Sequence, residues 1–380
     1  MGNSNKIKLI YLTYQVFPNP KANNLQTIRM LESFQSQGIH TKLIFPDRGV
    51  QSKNPEEIFK FYGVKNKFLI ETLKHKLPFN SINYAQKLNF RISSFIWSYF
   101  AVNKIIKSVN NQTIFYTRTN WILLFLAKKK NLIVYECHKE NRVDNYIFKK
   151  IQNHKNIILI FPSEKLKAFY TLKYPKLMNV LVLPSAYDER MFSNFIQKEK
   201  NRVIFVGNLL RFNVSRNIEF IINAFNDPRL ENYKLSIIGG PNDFAKSLSK
   251  TNKNSNIEIL GHLKHQDAVQ KMRTGEIGIL INIEDSNSTF YTSPIKYFEY
   301  IKGGLKVVAV DFASHRNLPF NDNIYFFQNN NLESLIENII LASKSSFIKN
   351  NLISNYSYDN RVNNIVSYLA RLEGLEPPTL

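Results

Sequence analysis

A chain of 380 residues, 44% hydrophobic and 13% aromatic, is long enough for two ordinary domains with full cores and too apolar for disorder. Its single cysteine, Cys137, excludes an intrachain disulfide framework and a cysteine-built zinc site, so a reducing, cytoplasmic setting is expected. The 51 lysines and arginines against 29 acids leave a formal charge of +22, a field that attracts nucleic acid, an anionic membrane surface or phosphorylated substrates.

In chain order, Lys8-Leu9-Ile10-Tyr11-Leu12 reads as a first strand and Pro18 to Asn24 as a polar loop. Leu25 to Gln35 has helical apolar spacing (Leu25, Ile28, Leu31), stopped near Gly38, and Thr41 to Phe45 is the next strand. This strand–helix–strand start predicts a parallel sheet. Residues 55 to 110 read as mainly helical, and the longest aromatic stretch, Ile92 to Val102, is broken by Ser93, Ser94 and Ser98. No apolar run reaches the length of a membrane span, and a signal-peptide pattern is not expected at the N-terminus. Short strands follow at Thr113–Tyr116, Leu132–Tyr135, Ile157–Phe161 and Val180–Leu183.

The pattern then restarts. Arg202–Val206, Lys234–Ile238, Ile257–Leu260 and Ile277–Ile281 read as strands, the first three running into glycines, with a helix over Asn217–Phe225. Two sets of alternating strands and helices predict two doubly wound α/β domains, whose ligands bind beyond the carboxyl ends of the strands. The expected divisions are 1–184, 185–355, a C-terminal helix over 356–372 crossing back to the first domain, and an irregular tail from 373.

The most informative run is Ser293 to Asp311: a loop, a short helix opened by Pro294, a Gly303-Gly304 stop and a buried strand through Val307–Val310. A helix N-terminus with Lys296 one turn in suits a phosphate, and Glu299 one turn further suits ribose hydroxyls. Together they suggest a nucleotide diphosphate.

With these landmarks, the chain resembles the retaining glycosyltransferases of family 4, which have the GT-B fold of two facing Rossmann-like domains. The resemblance rests on Val203 to Gly207, Leu235 to Gly240, Ile257 to His262 and the Ser293–Asp311 run. In the first half it rests on Asn24 to Thr27, Tyr116-Thr117-Arg118, Glu136-Cys137-His138 and Val180 to Phe192. It implies a C-terminal domain that binds a nucleotide sugar and an N-terminal domain on the acceptor side.

Residue by residue, the resemblance implies catalytic roles for His138, Arg216 and Glu299. Donor contacts would come from Gly207, Asn208, Arg211, Gly239, Gly240, Gly261, His262, Leu263, Ser293, Pro294, Ile295, Lys296 and Glu299. Acceptor-side positions would be Asn24, Arg118 and Glu136. Glu299 matches the second of the family's two glutamates; the first falls on Tyr291. Arg216 takes the usual lysine position, Asn217 replaces the usual glycine, and Asn208 stands where an arginine is usual. Arg211 is the substitute cation, since a guanidinium suits bidentate phosphate contacts.

No Asp-x-Asp pair occurs where a sugar-nucleotide metal would sit, and Glu284-Asp285 falls in a variable loop. Metal-independent transfer without a cofactor is therefore expected, the nucleotide sugar being a substrate. The acceptor expected is a lipid-linked or cell-surface polysaccharide intermediate, as in lipopolysaccharide synthesis. A basic, aromatic segment supports that reading: Lys65, Lys67, Lys74, Lys76, Lys87 and Arg91 interleave with Phe68, Leu69, Leu73, Phe79, Phe90 and Trp97. Such a segment suits the inner face of an anionic membrane and equally an ordinary packed amphipathic helix. Two rivals stand beside this reading: a non-catalytic GT-B partner subunit, and a basic nucleic-acid-binding protein. The second lacks any C₂H₂ spacing, RNP motif or leucine-zipper heptad, so no nucleic acid partner is expected.

Overall fold

The computed structural model describes residues 8–47, 54–75, 86–211 and 214–372, with the side chains of Gln86, Lys87 and Arg211 outside that description. The chain forms two compact units, Met1–Pro184 with Tyr358–Leu380, and Ser185–Ser357.

In the first unit the strands are β1 (Lys8–Leu12), β2 (His40–Asp47), β3 (Leu69–Lys74), β4 (Ile114–Thr117), β5 (Ile133–Glu136), β6 (Ile157–Phe161) and β7 (Asn179–Val182). They form a parallel sheet in the order β3-β2-β1-β4-β5-β6-β7. Strands β4, β5 and β6 are buried along their whole length, as parallel strands covered on both faces must be. The helix Tyr358–Leu372 belongs to this unit and buries Val362, Ile365, Val366 and Leu369.

The second unit carries β8 (Arg202–Val206), the two-residue strands β9 (Leu210–Arg211) and β10 (Val214–Ser215), then β11 (Lys234–Ile238), β12 (Ile257–Gly261), β13 (Ile277–Leu280), β14 (Lys306–Val310) and β15 (Ile324–Phe327). Its parallel sheet runs β12-β11-β8-β13-β14-β15, and β9 pairs antiparallel with β10 as a separate hairpin.

Most of the described residues between 55 and 110 are helical, as expected, with one exception. Between the helices Pro55–Tyr62 and Gln86–Ile105 the chain forms the edge strand β3, in register with β2. Its sequence Leu-Ile-Glu-Thr-Leu-Lys is too polar to read as a buried strand. The edge position tolerates it, and Glu71 is 2.5 Å from Lys42 of β2.

The run after Ser293 folds as a helix over Ile295–Lys302 followed by β14. Pro294 sits one position earlier than expected, as the extended residue before the helix, and Gly304 takes a left-handed φ of 73° after it. The helix is fixed to the sheet by Tyr300, whose ring lies where a side chain at Gly278 of β13 would have to go. The Tyr300 hydroxyl accepts from Val206 N at 3.0 Å and donates to Ile279 O.

Candidate functional site

Each unit carries a cluster of polar side chains near the carboxyl ends of its strands, where open α/β sheets bind ligands.

In the second unit the cluster gathers at the end of β8. Gly207 has a φ of 146°, which favours glycine, and a side chain built on it would come within 3.5 Å of Lys296 Nζ. Lys296 reaches this point from the first turn of the helix Ile295–Lys302, passing over the Phe205 ring at 4.4 Å. Its Nζ is shut off from solvent and has no hydrogen-bond partner in the protein. Burial, with the Arg216 guanidinium nearby, pushes Lys296 down to about 7. A buried ammonium beside a second cation is costly unless an anion completes the arrangement.

Arg216 closes the β9–β10 hairpin by donating its backbone N–H to Leu209 O at 2.8 Å. Asn217 next to it adopts φ 58° at the start of the helix Ile218–Ala224. Asparagine tolerates this left-handed conformation, which accounts for its standing where the resembled family has glycine. Asn208 is exposed. The Arg211 backbone lies in β9, while its side chain is outside the described residues.

Glu299 is not on a surface of its helix. Its side chain is 7% exposed and its Oε1 lies 2.7 Å from Nε2 of His265, the first residue of the helix His265–Arg273. His265 Nδ1 is buried without a protein partner. Sequence reasoning missed His265. A histidine at a helix start carries no signal of a glutamate 34 positions away.

The glycines expected to approach a nucleotide have work inside the protein. A side chain on Gly239 would collide with the Gly207 carbonyl, and one on Gly240 would meet His262 Cβ at 3.3 Å. Gly261 has φ 67°, and the loop after it is pinned by His262 N donating to Asn242 Oδ1 at 2.7 Å. His262 is exposed and Leu263 half-buried. Ser293 Oγ accepts from Ser185 N at 2.9 Å, so this side chain is already engaged; Pro294 and Ile295 are half-buried. Tyr291, half-buried, ends the helix Ser286–Phe290. Asp285 caps that helix by accepting from Ser288 N, and Glu284 accepts from Asn329 Nδ2.

The first unit's cluster centres on Glu136, the last residue of β5. Its carboxylate lies 2.8 Å from Arg361 Nη2, 3.4 Å from Arg118 Nε and 2.7 Å from His138 Nε2, and it accepts from the Tyr116 hydroxyl. Burial pushes the carboxyl up, but Arg361, Arg118 and the His138 bond hold it well below the usual carboxylate range.

His138 Nε2 also lies 2.6 Å from Arg118 Nη2. One ring nitrogen donates to the carboxylate or accepts from the guanidinium, never both, so the pair around it selects the tautomer. Burial, then Arg118, pushes His138 down to about 4, which keeps the ring neutral at physiological pH. Its side chain remains 30% exposed.

The residues assigned to acceptor contact are turned inward. Asn24 is buried and donates to Val16 O at 2.8 Å. Arg118 also reaches Gln26 Oε1 at 3.3 Å, and Glu136 is fully engaged. Each of them engages neighbouring protein groups. Arg361 was not singled out at all, because a lone arginine on a C-terminal helix reads as solvated.

Among the described residues, no helix is long and apolar enough to cross a membrane, and no group of three or more His, Cys, Asp or Glu side chains is placed to hold a metal.

The fold has many relatives among solved structures. An E. coli trehalose-6-phosphate structure bound with UDP-2-fluoro glucose matches 98% of this chain and 100% of its own, at 11% identity and a TM-score of 0.66. The fold is GT-B. WaaG, a glycosyltransferase involved in lipopolysaccharide biosynthesis, matches at 13% identity and a TM-score of 0.58, covering 97% of this chain and 99% of its own. The lipopolysaccharide outer core galactosyltransferase WaaB matches at 11% identity and 0.61, covering 96% and 99%. No protein-family model matches the sequence, and no curated protein matches it.

Proposed function

We propose that this chain is a retaining, metal-independent glycosyltransferase that moves a sugar from a nucleotide-sugar donor to a lipid-linked or cell-surface polysaccharide acceptor at the cytoplasmic face of a membrane. The observation that carries the reading is the buried, unpartnered Lys296 ammonium beside Gly207 and Arg216. A diphosphate supplies the missing counter-charge, and the N–H groups at the start of the helix Ile295–Lys302 add to it. GT-B relatives bound with UDP-2-fluoro glucose or named for lipopolysaccharide synthesis support the substrate classes.

In this reading Lys296 and Arg216 neutralise the leaving diphosphate, the main electrostatic task of the transfer. They take the place of a divalent cation. Glu299, held by His265, accepts from the ribose hydroxyls. In the first unit, neutral His138 orients a hydroxyl of the transferred sugar, and the Glu136 cluster holds its ring. The division of labour between the units and the absence of a cofactor belong to the same proposal, whereas the tail from 373 lies outside the described residues.

Calorimetric titration of the full chain with a panel of UDP-, GDP- and ADP-sugars tests it. Binding of one donor, lost in Lys296→Met and unaffected by EDTA, supports the reading. A wild-type protein that binds none of them overturns it, as does turnover that needs added magnesium. A protein that binds donor but never releases nucleotide with any acceptor is the non-catalytic partner instead.

A further inference from the structure

The helix Gln86–Ile105 is built inside out. Its buried side carries Ser93, Ser94 and Ser98 beside Trp97, Ala101 and Val102, and Ser98 Oγ is buried without a partner. Its outer side carries Leu88, Ile92, Phe95, Tyr99 and Phe100, each between 41% and 60% exposed. Leu88, Ile92, Phe95 and Tyr99 recur at helical spacing, so they form one stripe. The patch continues onto the helix Asn120–Leu126, where Phe95 lies edge-on to Trp121 at 5.0 Å and Tyr99 to Phe125 at 5.4 Å.

The charge around this face has one sign. Between Glu71 and Glu136 the sequence holds ten lysines and arginines and no aspartate or glutamate. Arg91 and Lys104 stand exposed on the helix itself, and Lys128 and Lys130 follow the neighbouring helix. A contiguous apolar patch of this size is rare on a surface that meets only water.

We infer that the outer face of the helix Gln86–Ile105 docks on an anionic phospholipid bilayer. The aromatic and aliphatic stripe enters the headgroup–acyl boundary, and Arg91, Lys104 and Lys128 meet the lipid phosphates. A second copy of this chain would bring the same uncompensated positive charge against itself. A nucleic acid would satisfy the charge and leave the aliphatic side chains uncovered. A bilayer satisfies both.

The inference deepens the membrane-facing part of the proposed function and rests on it for its purpose. Its test uses neither donor nor acceptor, so either reading can fail alone. The full chain is sedimented with phosphatidylglycerol-containing vesicles and with pure phosphatidylcholine vesicles, at low and high salt. Binding to the first and not the second is expected, weakened by salt, and reduced at least tenfold in the Leu88→Ser/Ile92→Ser double variant with an unchanged thermal melt. Should that variant misfold, Arg91→Glu/Lys104→Glu decides, since it alters exposed charges alone. Wild-type protein left in the supernatant of anionic vesicles overturns the inference, and so does equal binding by a folded variant. A dimer dispersed by the same substitutions, or duplex binding lost with them in place of vesicle binding, assigns the face to a second copy or to nucleic acid and overturns it equally.

Discussion

Arg361 and Glu136 form a buried ion pair at 2.8 Å, with side chains 3% and 2% exposed, 225 positions apart in the sequence. The same guanidinium donates to the carbonyls of Leu183 and Pro184, the last residues of the first unit before the chain enters the second. One side chain thus joins the returning C-terminal helix, the end of the first unit's main segment and the carboxylate that holds His138.

Arg361→Met should destabilise the first unit by about 3–5 kcal/mol, because it leaves a buried carboxylate short of its main counter-charge. Glu136 has its folded value depressed, so the pair contributes stability above the ordinary carboxylate range and loses it as pH falls. The variant should therefore show a flatter loss of stability on acidification. Chemical denaturation from pH 7 down to about pH 2, below the ordinary carboxylate range, measures both effects; equal stability of variant and wild type would refute the account.

Lys296 should couple donor binding to proton uptake. In the free protein its value is about 7, so above neutral pH the amine is largely uncharged, and a bound diphosphate restores the charge. Affinity should be greatest below pH 7 and fall as pH rises beyond it. Calorimetry at pH 8 in two buffers of different ionisation enthalpy counts the proton taken up. Lys296→Met should abolish the uptake, weaken binding about tenfold or more, and raise the melting temperature of the unliganded protein by removing a buried charge. A donor affinity independent of pH from 6.5 to 9 would exclude this role.

Glu299→Gln keeps the size of the side chain while losing the charge that His265 and a ribose share, so donor affinity should drop with little change in folding. His265→Gln should retain more affinity than His265→Ala, since a glutamine amide can still donate to the Glu299 oxygen. The comparison needs donor titrations of the folded variants. If alanine and glutamine at 265 behave alike, the pair is only packing.

The strands and the glycine-stopped helix after Ser293 were legible because their patterns are local: unbroken apolar runs, a proline before a helix, glycines after it. What stayed illegible depends on partners distant in sequence. Glu299 could be placed on its helix from the sequence but not against His265, and Arg361 had no local signature of its bond to Glu136. Strand β3 was hidden by its polar residues, which only an edge position permits. The three serines in the Ile92–Val102 stretch were visible as an interruption, but their facing inward, with Phe95, Tyr99 and Phe100 outward, has no local signature.

His138 gives the sharpest test of chemistry in the first unit. Its neutral ring, held between Glu136 and Arg118, titrates only near 4, so no break in turnover near pH 6.5 should be traceable to it. Should the ring orient the reacting sugar, His138→Ala will lower kcat by roughly 10²–10⁴-fold with donor affinity nearly unchanged. Removing the ring also frees one face of the Glu136 carboxylate, which keeps Arg361, Arg118 and Tyr116, so the loss of stability should be smaller than in Arg361→Met. Measuring kcat, donor affinity and thermal stability on one preparation separates the roles. A destabilised variant with full turnover per folded molecule would mark His138 as a structural member of the cluster and move the chemistry to other residues.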